Sequence, residues 1–141
     1  MPKFFKISEF LYSPTAYKHK IDNTPPEDIR NNLEVLMEFL DDVRLKWGSA
    51  IVVSSGFRCE ELNNILGGSK NSGHKYGWAA DLLPANNKKL EFFEFFKEYL
   101  KDKEFDELLL ERNSKGKVWI HFSLYSWQGK QRRKIKTLEV K

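Results

Sequence analysis

The chain has 141 residues, a single cysteine and 24 Lys and Arg against 20 Asp and Glu, for a net charge of +4. That is the size of one domain, able to bury a core without disulfides or a structural metal. The lone Cys59 excludes a disulfide scaffold and a cysteine-rich zinc finger, which leaves His and carboxylates as metal ligands.

Positive charge and a pI of about 9.1 suit a polyanionic partner without choosing among nucleic acid, membrane surface and wall polymer. Much of the excess lies in a basic tail, residues 129–141, read as a solvated terminal strand. The start of the chain lacks the apolar core of a signal peptide, and no run reaches transmembrane length. The expectation is a monomer made in the cytoplasm, with no nucleic-acid partner and no membrane insertion.

In chain order, Ser8 to Leu11 reads as a short helical turn. Thr24, Pro25 and Glu27 then read as N-cap, first helical position and capping-box acid of a long helix. Its apolar stripe is Ile29, Leu33, Leu36, Leu40, Val43 and Trp47, ending at Gly48. Residues 1–48 are thus an N-terminal scaffold built on this helix. Ala50 to Val53 reads as a buried strand that turns out at Ser54-Ser55-Gly56. Glu60 to Leu66 is a short helix stopped by Gly67-Gly68.

Ala79 to Leu83 is a strand ended by Pro84, and Asn87 reads as the cap of a second helix, from about Lys88 to Lys101. Its Leu90, Phe92, Phe93, Phe95, Phe96, Tyr99 and Leu100 are the broad apolar face of a helix packed across a sheet. Phe105 to Glu111 and Lys117 to Leu124 form a hairpin closed by residues 112–116. The predicted fold is α+β in a single domain, 1–141: a small central antiparallel sheet, helices on one side and a metal site on the open face.

Chemistry concentrates in Ser72-Gly73-His74-Lys75-Tyr76-Gly77-Trp78-Ala79-Ala80-Asp81. His74 and Asp81, with His121 as candidate third ligand, are the donors a zinc ion takes, and three ligands with one open position is the catalytic arrangement. Alternation puts Trp119, His121 and Ser123 on one face of their strand and Val118, Ile120 and Phe122 on the other. It likewise groups Glu107, Leu109 and Glu111. His19 has no such setting and reads as a surface residue.

These residues resemble the zinc D-alanyl-D-alanine carboxypeptidases and L-alanyl-D-glutamate peptidases, grouped with lysostaphin-type enzymes and the hedgehog domain. The pattern Ser-x-His-x-x-Gly-x-Ala-x-Asp is matched at Ser72, His74, Gly77, Ala79 and Asp81. Ser55-Gly56-Phe57-Arg58, Leu62-Asn63, Gly67-Gly68-Ser69 and Trp119-Ile120-His121-Phe122-Ser123 extend the likeness. So does Ile21-Asp22-Asn23-Thr24-Pro25-Pro26, which is similar to small phage and prophage members.

The resemblance implies one zinc ion on His74, Asp81 and His121, within a site formed by residues 55–123. It implies hydrolysis of a peptide bond in peptidoglycan stem peptides, by an L-Ala-D-Glu endopeptidase or a D,D-carboxypeptidase or endopeptidase, using water that zinc activates. Arg58 would grip a substrate carboxylate or polarise the scissile carbonyl, and Ser72 would bind substrate or hold the ligand loop. Many members carry an acid three positions before the last His, where this chain has Val118. Glu111 is therefore the expected general base, with Glu107 second. Cys59 stands where relatives have a Ser, as a packed residue.

The resemblance also suggests production in a phage-infected or lysogenic bacterium, acting on the wall after release or from the virion. A catalytically silent zinc-containing binding or virion module is the alternative, and duplex nucleic acid held by the basic tail is a third reading. Arg58 could instead pair with Glu60 or Glu61, and Glu111 with a lysine. Because both His ligands must be neutral, zinc should be lost below about pH 6.

Overall fold

The computed structural model describes residues 2–140. Two short helices, α1 (Ile7–Leu11) and α2 (Pro14–Lys18), lead to the long helix α3 (Glu27–Trp47). Strand β1 (Ile51–Ser55), helix α4 (Glu60–Ile65), strand β2 (Ala79–Pro84) and helix α5 (Lys89–Tyr99) follow. The chain closes with β3 (Glu107–Asn113), β4 (Val118–Ser123) and β5 (Lys134–Val140).

The expected α+β architecture is present, with one difference in the sheet. Its order is β1-β2-β4-β3-β5, and β5 runs parallel to β3 while the other neighbours are antiparallel, so the sheet is mixed. The basic tail thus contributes an edge strand. It is seated by Arg132, whose guanidinium lies 2.7 and 2.9 Å from the two carboxylate oxygens of buried Asp106.

Alternation sorts the sheet into two faces. Ala80, Leu82, Leu108, Ile120 and Phe122 join Leu33, Leu36, Leu40 and Val43 of α3 and Phe92, Phe93 and Phe96 of α5 in the core. Phe122 stacks between Phe39 and Phe96, at centroid distances of 5.3 and 4.9 Å. The aromatic density of α5 is therefore core packing, and the face bearing Asp81 and His121 is the one these helices leave open.

Three local expectations are corrected. The long helix starts at Glu27, with Pro26 in the cap position. A residue before proline is driven out of the helical region, so Pro25 cannot begin a helix ahead of Pro26. Thr24 instead closes a turn, donating its hydroxyl and backbone N–H to Asp22 Oδ1. Asn87 is not a helix cap: it adopts a left-handed conformation (φ 62°), Lys88 takes the cap position, and Asn86 accepts from the Lys88 N–H. β1 is an edge strand whose residues alternate in burial, not a buried strand, and it continues through Ser54 and Ser55. An irregularity between Val53 and Ser55 puts Ser55 opposite Asp81, the kind of bulge that re-aims side chains beside a site.

Candidate metal centre

The loop between α4 and β2 carries His74 on a 3-10 turn, Gly73–Tyr76, and ends where β2 begins. Ser72 caps the turn, its Oγ accepting the His74 N–H at 3.2 Å. Gly77 follows at φ 76°, and a Cβ there would lie 2.8 Å from the Ile29 carbonyl oxygen of α3. Asn32 of the same helix donates to the Tyr76 carbonyl at 2.9 Å. The scaffold helix therefore presses the loop against the sheet, and only glycine fits at the contact.

Asp81 on β2 pairs with His121 on β4, so both side chains rise from one face. His74 Nε2 lies 3.4 Å from Asp81 Oδ1, and His121 Nδ1 lies 2.9 Å from the same oxygen. Two ligands held ~2.0–2.1 Å from a tetrahedral zinc stand about 3.3 Å apart, so this donor set has the right size. The three candidate ligand atoms fall within 4.8 Å of one another. His74 Nδ1 sits 2.7 Å from the Gly56 carbonyl oxygen, which can only accept. Nδ1 therefore carries the proton, and the Nε2 lone pair faces Asp81.

The electrostatics are those of a buried, coupled group. Burial holds His74 below its ordinary range, although Asp81 opposes this. Burial also works against charge on His121, but the hydrogen bond and charge of Asp81 outweigh it and raise the imidazole. Asp81 stays ionised despite its burial because both histidines favour the carboxylate.

Arg58 follows the bulge of β1. Its Nη2 is 3.5 Å from Asp81 Oδ2 and its Nε donates to Ser55 Oγ at 3.1 Å. It does not pair with Glu60, which meets Lys75 at 3.1 Å. Burial lowers the Arg58 pKa, and the charges of Asp81 and Glu111 resist the shift.

Glu111 pairs with Trp119 across the hairpin and brings Oε1 to 3.7 Å from His121 Nδ1. Burial raises its pKa; His121 pulls it down and Asp81 pushes it up. Glu107 lies on the same face, with Oε1 3.7 Å from Arg132 Nη2. Val118 lines a cavity with Leu90 and Leu110 on the helix side, away from the histidines. His19 is exposed at the end of α2, and half-buried Cys59 packs against the core.

Four supporting residues stand in the quoted sequence elements without a role that the sequence assigns. Trp119 donates its indole N–H to Glu111 Oε1 at 3.2 Å; alternation put Trp119 on the site face, but only the hairpin register names its partner. The Asn23 amide donates to the Leu11 and Phe57 carbonyls and accepts the Cys59 N–H, bracketing the turn that bears Arg58. Gly56 gives its carbonyl to His74 and packs directly on the Phe10 backbone. Asn63 is fully buried, and among the described residues its Oδ1 has no hydrogen-bond partner. A Cβ at Gly68 would overlap that oxygen and lie 3.1 Å from Arg58 Nη1, so the orphan acceptor borders the guanidinium.

A family model described as Peptidase M15 matches residues 3–123. The chain belongs to the peptidase M15 family. Membership makes it a peptidase of the group that includes the D-alanyl-D-alanine carboxypeptidases, and the His-Asp-His cluster is a fitting metal site for such an enzyme. The match ends at the close of β4, so β5 lies outside it. No curated protein matches the chain. Among the described residues, no helix is long and apolar enough to cross a membrane.

Proposed function

We propose that the protein is a zinc metallopeptidase that hydrolyses a peptide bond in peptidoglycan stem peptides. The observation that carries this reading is the convergence of His74, Asp81 and His121, with Glu111 and Arg58 at the edge of the same cluster. Zinc held there supplies Lewis acidity, activating a water nucleophile near neutral pH and polarising the scissile carbonyl.

The chain's own residues do the rest. Glu111, held through one oxygen by Trp119, takes the proton from the attacking water as the C–O bond forms. It returns that proton to the leaving amine as the C–N bond breaks. Glu107, drawn toward Arg132, is the poorer base. Arg58 grips a substrate carboxylate or the carbonyl oxygen, a role that a fixed guanidinium suits. The Ser72 hydroxyl, which serves the His74 N–H, holds the ligand loop. The reach of Glu111 to the cluster favours an active enzyme over a silent zinc module of the same fold.

The test is Glu111→Gln assayed on purified cell wall, with muropeptides read by mass spectrometry and zinc content measured in parallel. The variant should keep one zinc per chain and lose about 10²–10⁴-fold in activity, the usual contribution of a general base. Full activity in the variant would refute the role given to Glu111. Purified wall left uncut by the unaltered, zinc-loaded chain would refute the substrate.

A further inference from the structure

β5 adds a second set of charged groups to the face that carries the metal ligands. Residues paired across neighbouring strands point to the same side of a sheet. Asp81 pairs with His121, His121 with Leu109, and Leu109 with Lys136. The adjacent row on this face runs from Ser123 to Glu107 to Lys134. Lys136 therefore stands in the same transverse row as two of the three ligands, two strands beyond His121. At ~4.8 Å per strand that is about 10 Å between backbones, and a long lysine stem closes much of the gap.

Among the described residues, neither ammonium is taken up by an ion pair. Their nearest acidic neighbours on the face are otherwise engaged: Glu107 approaches Arg132 at 3.7 Å, and Glu111 accepts from Trp119 at 3.2 Å. Lys136 is exposed and Lys134 half-buried. On the far side of the ligands stands Arg58, beyond β2. Positive side chains thus stand on both sides of the metal ligands. The helix-side positions of β5 are Ile135, Thr137 and Glu139, so the two lysines lie on the ligand-bearing face and do not form the all-round basic track that a polyanion would need.

We propose that Lys134 and Lys136 form a carboxylate-binding subsite opposite Arg58, so that the enzyme takes peptides bearing a further free carboxylate beyond the one that Arg58 grips. This rests on the reading of the cleft as a peptidase site, and it names the substrate chemistry that the β5 side selects. Both lysines lie beyond the residues that the family model matches.

The experiment measures equilibrium binding by calorimetry to the zinc-loaded full chain, carrying Glu111→Gln to prevent turnover. The probes are the peptide L-Ala-γ-D-Glu-L-Lys-D-Ala-D-Ala and the same peptide with its carboxylates amidated. Lys134→Gln/Lys136→Gln is compared with Lys115→Gln/Lys117→Gln, which removes equal charge from the exposed hairpin loop. The β5 pair should lose about fivefold in its preference for the acid peptide, the scale of partly exposed ion pairs, while the hairpin pair keeps it.

Equal weakening toward acid and amide peptides, a loss no greater than that of the hairpin pair, or no binding of either peptide would overturn the subsite. Hydrolysis by the unaltered chain is read separately. A chain that cuts neither peptide but shows the charge-specific binding would refute stem-peptide hydrolysis and leave the subsite standing.

Discussion

Replacing Gly77 by alanine tests the link between scaffold helix and metal centre, because this glycine lies between His74 and Asp81 in sequence and against α3 in space. Two costs add. A left-handed φ of 76° penalises any residue with a Cβ, by roughly 1–2 kcal/mol. The new methyl would also lie 2.8 Å from the Ile29 carbonyl oxygen, 3.1 Å from Ile29 Cγ2 and 3.2 Å from Leu33 Cγ. The closest of these is helix backbone, which cannot swing aside, so overpacking adds about 1–3 kcal/mol. The total, roughly 2–5 kcal/mol, is a large share of the ~5–15 kcal/mol that holds a domain together.

Gly116 provides the control. It has a similar φ of 81° with nothing within 4 Å of its would-be Cβ, so Gly116→Ala carries the backbone cost alone. Urea unfolding of the two variants should differ by about 1–3 kcal/mol, with Gly77→Ala the weaker. A competitive zinc titration should show reduced affinity only for Gly77→Ala, since only there does the loop carrying His74 shift. Equal stability of the two variants would refute the claim that α3 clamps the ligand loop.

Two further outcomes follow from groups beside the site. Gly68→Ala intrudes between Asn63 Oδ1 and Arg58 Nη1; it should raise KM for an anionic peptide by about tenfold, the effect of one weakened charge-assisted hydrogen bond, with zinc content unchanged, and an unaltered KM would show that Arg58 is not positioned there. Burial acts to raise Asp106, but the hydrogen bonds and charge of Arg132 prevail and hold it below its ordinary value of 3.8. A depressed carboxylate stabilises the fold above its unfolded pKa, so this contribution is complete above about pH 4 and fades as pH falls through the lower folded value. Asp106→Asn should cost about 1.5–3 kcal/mol at neutral pH, the scale of hydrogen bonds to a charged group, and remove that acid-side decline, and parallel pH–stability curves for the two proteins would contradict it.

Short-range rules made much of the molecule legible. The stripe from Ile29 to Trp47 required a buried helix because three- and four-residue spacing admits no other face. Strict alternation around His121 separated Ile120 and Phe122, both now in the core, from the side chains that look toward Asp81. Glycine stops such as Gly67, at φ 71°, were visible because few other residues adopt that conformation at low cost. Where two short-range rules competed the reading failed: Thr24 has the chemistry of a cap, but the stiffness of Pro25-Pro26 moved the helix start to Glu27.

By itself, then, the sequence determined which side chains have the chemistry to hold a metal, which helices must be buried, and where the hairpin folds. Which partner each group meets was decided only in three dimensions. The indole of Trp119 on Glu111, the Gly56 carbonyl on His74, and the guanidinium of Arg58 beside the orphan oxygen of Asn63 all join residues distant in the chain or on different strands. The parallel seating of β5, which puts two lysines of the basic tail on the ligand-bearing face of the sheet, depends on a crossover latched by Arg132 and Asp106. The reason is that periodicity and capping act within a few residues, whereas strand order and register are set by the whole core closing at once.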